Sequence, residues 1–401
     1  MESLPLLARA AELLSEHFSC ALELTPSENY TRWVSRTWRC HVQPHSSALP
    51  STVIVKHTVV RPEPSYADWH QHAFFNDWAA ARFLGSIATH PPLAPKLYTG
   101  DRTERIVIME DLGTGTTPNT YDLLLGSDVD YARQSLIEHV ALLGQLHAAT
   151  CPVALDYLPI RAALGPQEPE KPLYCHPWSR ARLRRSTDTE LQDAVQRYQM
   201  VLQSAGVTAA ADIESEIALV TAVIEDQPGP FLTYCKGDQE VPGDAIRWGA
   251  HLRLFDFNVG GLRHALVEGL PGWMTWGCHR RLPHDLVRTL DAVYQRALAE
   301  GCPIAMTPSV FRQAAVLAAA RWHLFHVTWR LRHALQADMP RGPTDTTLRQ
   351  QFLAWTDAFV DVAGDDGPVP RLVQTAQRLA ARLRAVWPPD VQTLPYYPVF
   401  Q

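Results

Sequence analysis

Two stretches of this sequence run a short apolar segment into an acidic residue. Phe231-Leu-Thr-Tyr-Cys-Lys-Gly leads to Asp238, with Asp244 shortly after, and Leu252-Arg-Leu-Phe leads to Asp256, followed by Phe257 and Asn258. Each segment reads as a strand that delivers a carboxylate at its end, so two carboxylates can converge at the mouth of one small sheet. That arrangement suits metal-assisted phosphoryl transfer, where the protein mainly positions reactants and places charge. One Asp accepts the proton of the attacking hydroxyl, a second holds Mg²⁺ across nucleotide phosphates, and a lysine on a strand neutralises phosphate charge. Lys56 is the candidate lysine, because it ends the run Val53-Ile54-Val55 and a charge closing a buried strand needs a partner. Asp77, on the helix that follows, is the candidate partner.

The elements that must position these residues are legible in outline. Leu7, Ala10, Ala11, Leu13 and Leu14 recur at helical spacing, and residues 22–24, 38–42 and 52–56 are short runs rich in strand formers, with a hairpin loop at 44–50. The pattern turns helical over 68–84, with Phe74, Phe75, Trp78, Ala81, Phe83 and Leu84 as its stripe. Pro91, Pro92 and Pro95 break it, 96–98 reads as a short strand, and 105–109 is an apolar strand ending in Glu110-Asp111-Leu112-Gly113. Beyond about residue 114 helical periodicity dominates, over 131–149, 188–203, 209–225, 285–300, 308–335 and 369–386. The exception is 231–259, where short apolar runs alternate with glycines and charges. A strand-rich island in a helical domain is where a site is expected.

Composition narrows the function classes. The chain has 401 residues, 46% of them hydrophobic, enough for a large core. Its 36 Lys and Arg against 42 Asp and Glu leave a net charge of −6, without the basic excess that nucleic-acid binding requires, so no nucleic-acid partner is expected. The seven cysteines are scattered and form no Cys-x-x-Cys pair, which reads as reduced thiols and a cytoplasmic protein. The first residues lack a signal-peptide pattern and no apolar run is long enough for a membrane span, so neither secretion nor a membrane partner is expected. Walker-type, dinucleotide-binding and nucleophile-elbow glycine patterns are also absent from the sequence.

The order of these motifs resembles the aminoglycoside phosphotransferase family, kin to the choline kinases: strand-Lys56, helix-Asp77, strand-Met109-Glu110-Asp111-Leu112, a helix ending Leu143-Gly-Gln-Leu-His147-Ala, then Lys236-Gly237-Asp238 and Asp256-Phe257. The resemblance covers residues 20–270. It implies an α+β, protein kinase-like fold of two lobes, a small, mostly antiparallel N-lobe with one helix over 1–112 and a larger, mainly α-helical C-lobe over 113–401, with the catalytic loop in 231–259. It implies an ATP- and Mg²⁺-dependent small-molecule kinase that phosphorylates a hydroxyl of a small acceptor such as an aminoglycoside or amino alcohol. By the same resemblance Asp238 is the catalytic Asp and Asp256 the Mg²⁺ ligand. Lys56 and Asp77 match the nucleotide-phosphate lysine and its helix carboxylate, and Met109, Glu110, Asp111 and Leu112 the hinge whose backbone meets adenine.

The sequence departs from the family pattern in four places. Lys236 stands where the family has His, and the helix Glu is Asp77. Gly243 stands at the spacing of the family's Asn, with Asp244 one residue further, so Asp244 either reaches the metal through a bulge or a ligand is lost. The hairpin within 27–37, which should cover phosphates, contains no glycine, leaving Ser35 and Thr37 as hydroxyl donors. These departures motivate a second reading, a catalytically impaired pseudokinase acting as a binding module. A third, a helical hydrolase or metal protein without nucleotide, requires the Lys56 and Asp256 matches to be accidents. Bland readings stand beside these: Lys56 as a snorkelling strand-end lysine, Asp77 as a surface helix charge, Asp238 and Asp256 as turn formers. His147 is expected to be a core histidine bonded to backbone, the pairs His70/His72 and His323/His326 to be incidental, and Trp273, Trp276 and Trp322 to be core. The run from Arg180 to Arg185 reads as a solvated helix start or an attractor of anions.

Overall fold

In a computed structural model, which describes residues 3–30, 35–59, 64–113, 120–165, 182–237, 244–248, 251–270, 279–341 and 345–401, the elements follow the expected order closely. The chain begins with α1 (Ser3–Phe18), β1 (Glu23–Asn29), β2 (Ser35–Gln43), β3 (Thr52–Thr58), α2 (Pro64–Gly85), β4 (Leu97–Asp101) and β5 (Ile106–Glu110). It continues with α3 (Thr120–Leu124), α4 (Val129–Thr150), α5 (Tyr157–Leu164), α6 (Asp188–Ser204), α7 (Ile213–Val220) and the strands β6 (Leu232–Cys235), β7 (Ala245–Trp248), β8 (His251–Leu254) and β9 (Gly261–His264). The helices α8 (His284–Ala299), α9 (Pro308–His326), α10 (Arg332–Gln336), α11 (Leu348–Ala363) and α12 (Pro370–Val386) complete it. Two compact units result. The first comprises Met1–Thr117, Leu155–Pro169 and Asp244–Gly260, and the second Pro118–Ala154, Glu170–Gly243 and Gly261–Gln401. The first unit thus contains the whole stretch 1–112 together with two later segments.

The first unit is built on a five-stranded antiparallel sheet of order β1-β2-β3-β5-β4. Because β3 and β4 both pair antiparallel with β5, they run in the same direction, and α2 makes the crossover between them. Strand alternation turns Trp38, Cys40 and Val42 of β2 and Val53 and Val55 of β3 into one core, against which α1 lays Leu7, Ala10, Leu13 and Leu14. Lys56 follows Val55 and so points to the opposite face. The helix α2 is buried on every side from Ala73 to Ala81, which takes Asn76 and Asp77 into the interior with it.

In the second unit α4 and α8 approach closely because Gly144 faces Ala297; a Cβ on Gly144 would lie 2.6 Å from the Ala297 Cβ. Helix α9 forms the centre, with every residue from Ala314 to His326 buried. The expected helix over 308–335 is interrupted by a wider turn at 327–331, and α11 is an element the periodicity did not announce. A capping box of Thr347 and Gln350 starts α11, and Phe352, Trp355 and Phe359 bury its inner face. His326 stacks on Trp355 at 3.7 Å, and His323 stacks on Phe359 with its Nε2 3.1 Å from the Tyr198 hydroxyl, so both histidines of this pair are packed into the core. Trp322 is also core and donates to the Val267 carbonyl at 2.7 Å. Trp273 and Trp276 lie outside the described residues, as do the side chains of His70 and His72. Among the described residues no helix is long and apolar enough to cross a membrane, and Cys20, Cys40, Cys151, Cys235 and Cys302 are free thiols.

Two buried histidines give this core a pH signature. Burial pushes the His323 pKa down to about 3, and burial with the neighbouring His147 does the same to His264. Both values lie below the unfolded value of 6.5, so the unfolded chain takes up protons first. Stability is full above pH 6.5 and falls as the pH drops towards 3, by about 1.4 kcal/mol per pH unit for each group. Thermal unfolding midpoints measured from neutral pH into this range should decline steadily, and His323→Phe should flatten the slope. A slope unchanged by that variant would contradict the assignment.

Candidate active site

Lys56 lies on β3 between Thr37 of β2 and Val107 of β5 in the ladder. Its Nζ donates to Asp77 Oδ2 at 2.7 Å and to Asp256 Oδ1 at 2.6 Å. Neither the snorkelling reading of Lys56 nor the surface reading of Asp77 fits, since their side chains are 14% and 7% exposed. Burial on its own would lower the Lys56 pKa; the Asp256 and Asp77 carboxylates outweigh it and hold the ammonium above its ordinary value. A raised lysine pKa means that the pairing contributes throughout the neutral range and is lost only as the pH rises past the lysine's ordinary value.

Asp77 has a second task that the sequence did not reveal. Its Oδ1 accepts the backbone N–H of Phe257 at 3.0 Å, while its neighbour Asn76 donates from Nδ2 to the Asn258 carbonyl at 2.9 Å. Arg161 of α5 in turn donates to Asn76 Oδ1 at 2.9 Å. Asp256, between these grips, has φ of 60°, a left-handed conformation that costs an L-residue about 1–2 kcal/mol. The α2 side chains therefore hold a strained turn that aims the Asp256 carboxylate at Lys56. The helix residue can be Asp rather than the longer Glu because it bonds at short range to the turn's own backbone.

The hairpin of β7 and β8 sets the height of this turn. Asp244 stands opposite Phe255 where the ladder ends, its carbonyl accepting the Phe255 N–H at 3.1 Å, so it is brought beside the residue preceding Asp256. The buried Arg253 of β8 pairs with Glu110 at 2.8 Å, which ties this hairpin to the end of β5. Asp111 is likewise engaged: Arg39 of β2 donates to it from Nε at 2.7 Å and from Nη2 at 3.0 Å, and to Glu28 at 2.6 Å. Burial would raise the Asp111 carboxyl, but Arg39 and the Gly113 N–H hold it below the usual carboxylate range. Both acidic side chains of this stretch are therefore occupied and Leu112 is buried, while the main chain of Met109 and Glu110 lies in the ladder, with β3 on one side and β4 and the Lys96 carbonyl on the other.

The strand leading to Asp238 belongs to a different ladder. β6 pairs with β9 in the second unit, whereas β8 pairs with β7 in the first, so the expectation of one small sheet carrying both carboxylates is corrected. Asp238 itself lies outside the described residues, together with Gly243 and part of the 27–37 hairpin. Up to Gly237, the approach is held by one buried anion: the Glu268 carboxylate accepts the N–H groups of Lys236, at 3.0 Å, and of Gly237. Gly237 has φ of 105°, a conformation suited to glycine. His147 Nε2 donates to Glu268 at 3.0 Å and its Nδ1 lies 2.8 Å from the Tyr294 hydroxyl, so this core histidine bonds two side chains rather than backbone. Burial would raise the Glu268 carboxyl, and the His147 bond, Arg263 and the Gly237 N–H bring it below its ordinary value. With Cys235, His147 and Glu268 make a buried group of potential metal ligands, but these hydrogen bonds already occupy the His and Glu donor atoms. Glu268 was missed in the sequence, where its signal was one acid in the apolar run Ala265-Leu-Val-Glu-Gly-Leu270. Nor is the Arg180 run a solvated helix start where it is described: Arg182 and Arg184 pair with Glu190 at 2.8 and 3.0 Å.

No family model and no curated protein matches the chain. Solved structures similar to it include a choline/ethanolamine kinase family protein from Mesorhizobium loti, 14% identical over 88% of this chain and 93% of that one, with a TM-score of 0.42. A Plasmodium vivax ethanolamine kinase is 9% identical over 86% and 82%, with a TM-score of 0.44. An aminoglycoside phosphotransferase from Alicyclobacillus acidocaldarius is 12% identical over 90% and 92%, with a TM-score of 0.39. At such identities the activity has to be argued from the residues of this chain.

The double role of Asp77 predicts an ordering of variants. Asp77→Ala removes one carboxylate from Lys56 and the acceptor from Phe257, and should cost about 2–4 kcal/mol in urea unfolding. Asp77→Asn keeps an oxygen for the Phe257 N–H and should cost clearly less. Equal losses in the two variants would show that the backbone bond does not hold the turn.

Proposed function

We propose that the protein is an ATP- and Mg²⁺-dependent small-molecule kinase that transfers the γ-phosphate to a hydroxyl of a small acceptor of the aminoglycoside or amino-alcohol kind. The observation that carries this reading is the buried ammonium of Lys56 shared by Asp77 and Asp256, with Asp256 on a strained turn. A lysine fixed in this way can exchange one carboxylate for a phosphate oxygen without moving, because Asp77 continues to hold it. The donor set also suits magnesium: the Asp256 side chain is 34% exposed, Asp244 stands at the hairpin end beside Phe255, and both residues carry hard carboxylate oxygens. Bound there, the cation would neutralise charge on the nucleotide phosphates. In this reading the main chain from Met109 to Leu112 meets the nucleotide base, Asp256 and Asp244 are the metal ligands, and Asp238 accepts the proton of the acceptor hydroxyl.

Thermal unfolding with ATP tests the reading. Ligand at ~100 times its dissociation constant stabilises the folded state by about 2.7 kcal/mol, a readily measured shift. The wild type should show a shift that requires Mg²⁺, and Asp256→Asn should abolish the Mg²⁺-dependent part. Asp238→Asn should retain the shift yet lose phosphoryl transfer to any acceptor that the wild type uses. No shift at millimolar ATP would exclude the kinase reading in favour of a module that binds no nucleotide.

A further inference from the structure

Cys151 follows the last turn of α4 and Cys302 follows α8, and both thiols point to one oxygen. Each Sγ lies 3.1 Å from the carbonyl oxygen of Pro230, just ahead of β6, so the two sulfurs converge on one acceptor. Both thiols donate to that one oxygen, which brings two cysteines 151 residues apart in the chain to the same point. Cys302 is 2% exposed and Cys151 is partly exposed, so a reagent from solvent meets Cys151 first. The neighbouring Cys302 thiol holds the Cys151 thiol below its ordinary value against the effect of burial, whereas burial alone raises Cys40. This asymmetry, an accessible nucleophilic thiol beside a buried one, is that of an attacking and a resolving cysteine.

We propose that Cys151 and Cys302 are a redox modification site that closes to an intramolecular disulfide on reaction with a hydroperoxide. The Cys151 thiolate attacks the peroxide; an S–O bond forms, the O–O bond breaks and, for hydrogen peroxide, one water leaves. The Cys302 sulfur then attacks the sulfenic sulfur, the S–S bond forms and a second water leaves, so two thiols lose two electrons and two protons to one peroxide. Closure withdraws both thiol protons from the Pro230 carbonyl and ties the end of α4 to the end of α8. Those helices carry His147 and Tyr294, the two side chains that lead to Glu268 and the amides of Lys236 and Gly237. The modification therefore acts at the foot of the network that holds the amides of Lys236 and Gly237.

The test uses the reduced full-length chain, oxidised with equimolar hydrogen peroxide, blocked with N-ethylmaleimide in denaturant and mapped by mass spectrometry. A cross-linked peptide joining Cys151 to Cys302, reversed by dithiothreitol and formed about tenfold faster than the exposed Cys20 is oxidised, is the expected result. In Cys302→Ser, dimedone should capture a sulfenic acid at Cys151. Recovery of Cys151 and Cys302 as maleimide adducts while Cys20 is oxidised would overturn the proposal. So would a bridge from Cys151 to Cys175 or Cys278, which lie outside the described residues. Because the decisive measurement is on the wild type, the proposal does not depend on how well the variant folds.

Discussion

The ammonium of Lys56 constrains the whole of the first unit. A lysine closing a buried strand is costly unless anions meet it inside, and here two carboxylates do so from distant parts of the chain, at 2.7 and 2.6 Å. That requirement explains why α2 runs through the interior while carrying Asn76 and Asp77, and why the segment around Asp256 folds back onto the sheet rather than with the helices that flank it in sequence. Removing the lysine would leave two carboxylates facing each other, and removing either carboxylate would leave the lysine half satisfied. The three residues are held as a set.

Around that set the fold repeats one device, a buried charged side chain tying distant main chain together. Arg253 joins the β7–β8 hairpin to Glu110, Arg39 joins β2 to Asp111, and Asp77 fixes the turn at Phe257. In the second unit Glu268 gathers His147, Arg263 and two consecutive amides. Such groups contribute little net stability compared with apolar packing, but each is strongly destabilising when one partner is removed, so they specify geometry more than they add stability. Both arrangements lie at segments that the phosphotransferase reading makes functional, and both place backbone as well as side chains.

Much of the fold could be read directly. The alternation in β3, the stripe of α2 and the apolar strand before Glu110 are local patterns, and local patterns survive translation into structure because the period of each element is set by backbone geometry. The pairing of Lys56 with Asp77 was legible too, since a strand-end lysine and the next helix leave few alternatives. What escaped was non-local. Glu268 sits in an apolar run far from any motif, and its function appears only when β6 and α4 come within reach of it. Helix α11 escaped although Phe352, Trp355 and Phe359 carry its stripe, because an apolar face announces itself clearly only against a known partner.

The sequence by itself determined the element types, the order of the chemistry-bearing residues and the need for Lys56 to find an anion, because these follow from side-chain period and from the cost of an unpaired buried charge. Only the tertiary structure decided that β6 and β8 enter separate ladders, that Asp77 grips the backbone of Phe257, and that Cys151 and Cys302 share one carbonyl. Strand partners and hydrogen bonds between residues far apart in the chain depend on which apolar faces are buried together. That choice is made by the packing of the whole core and leaves no local mark on the sequence.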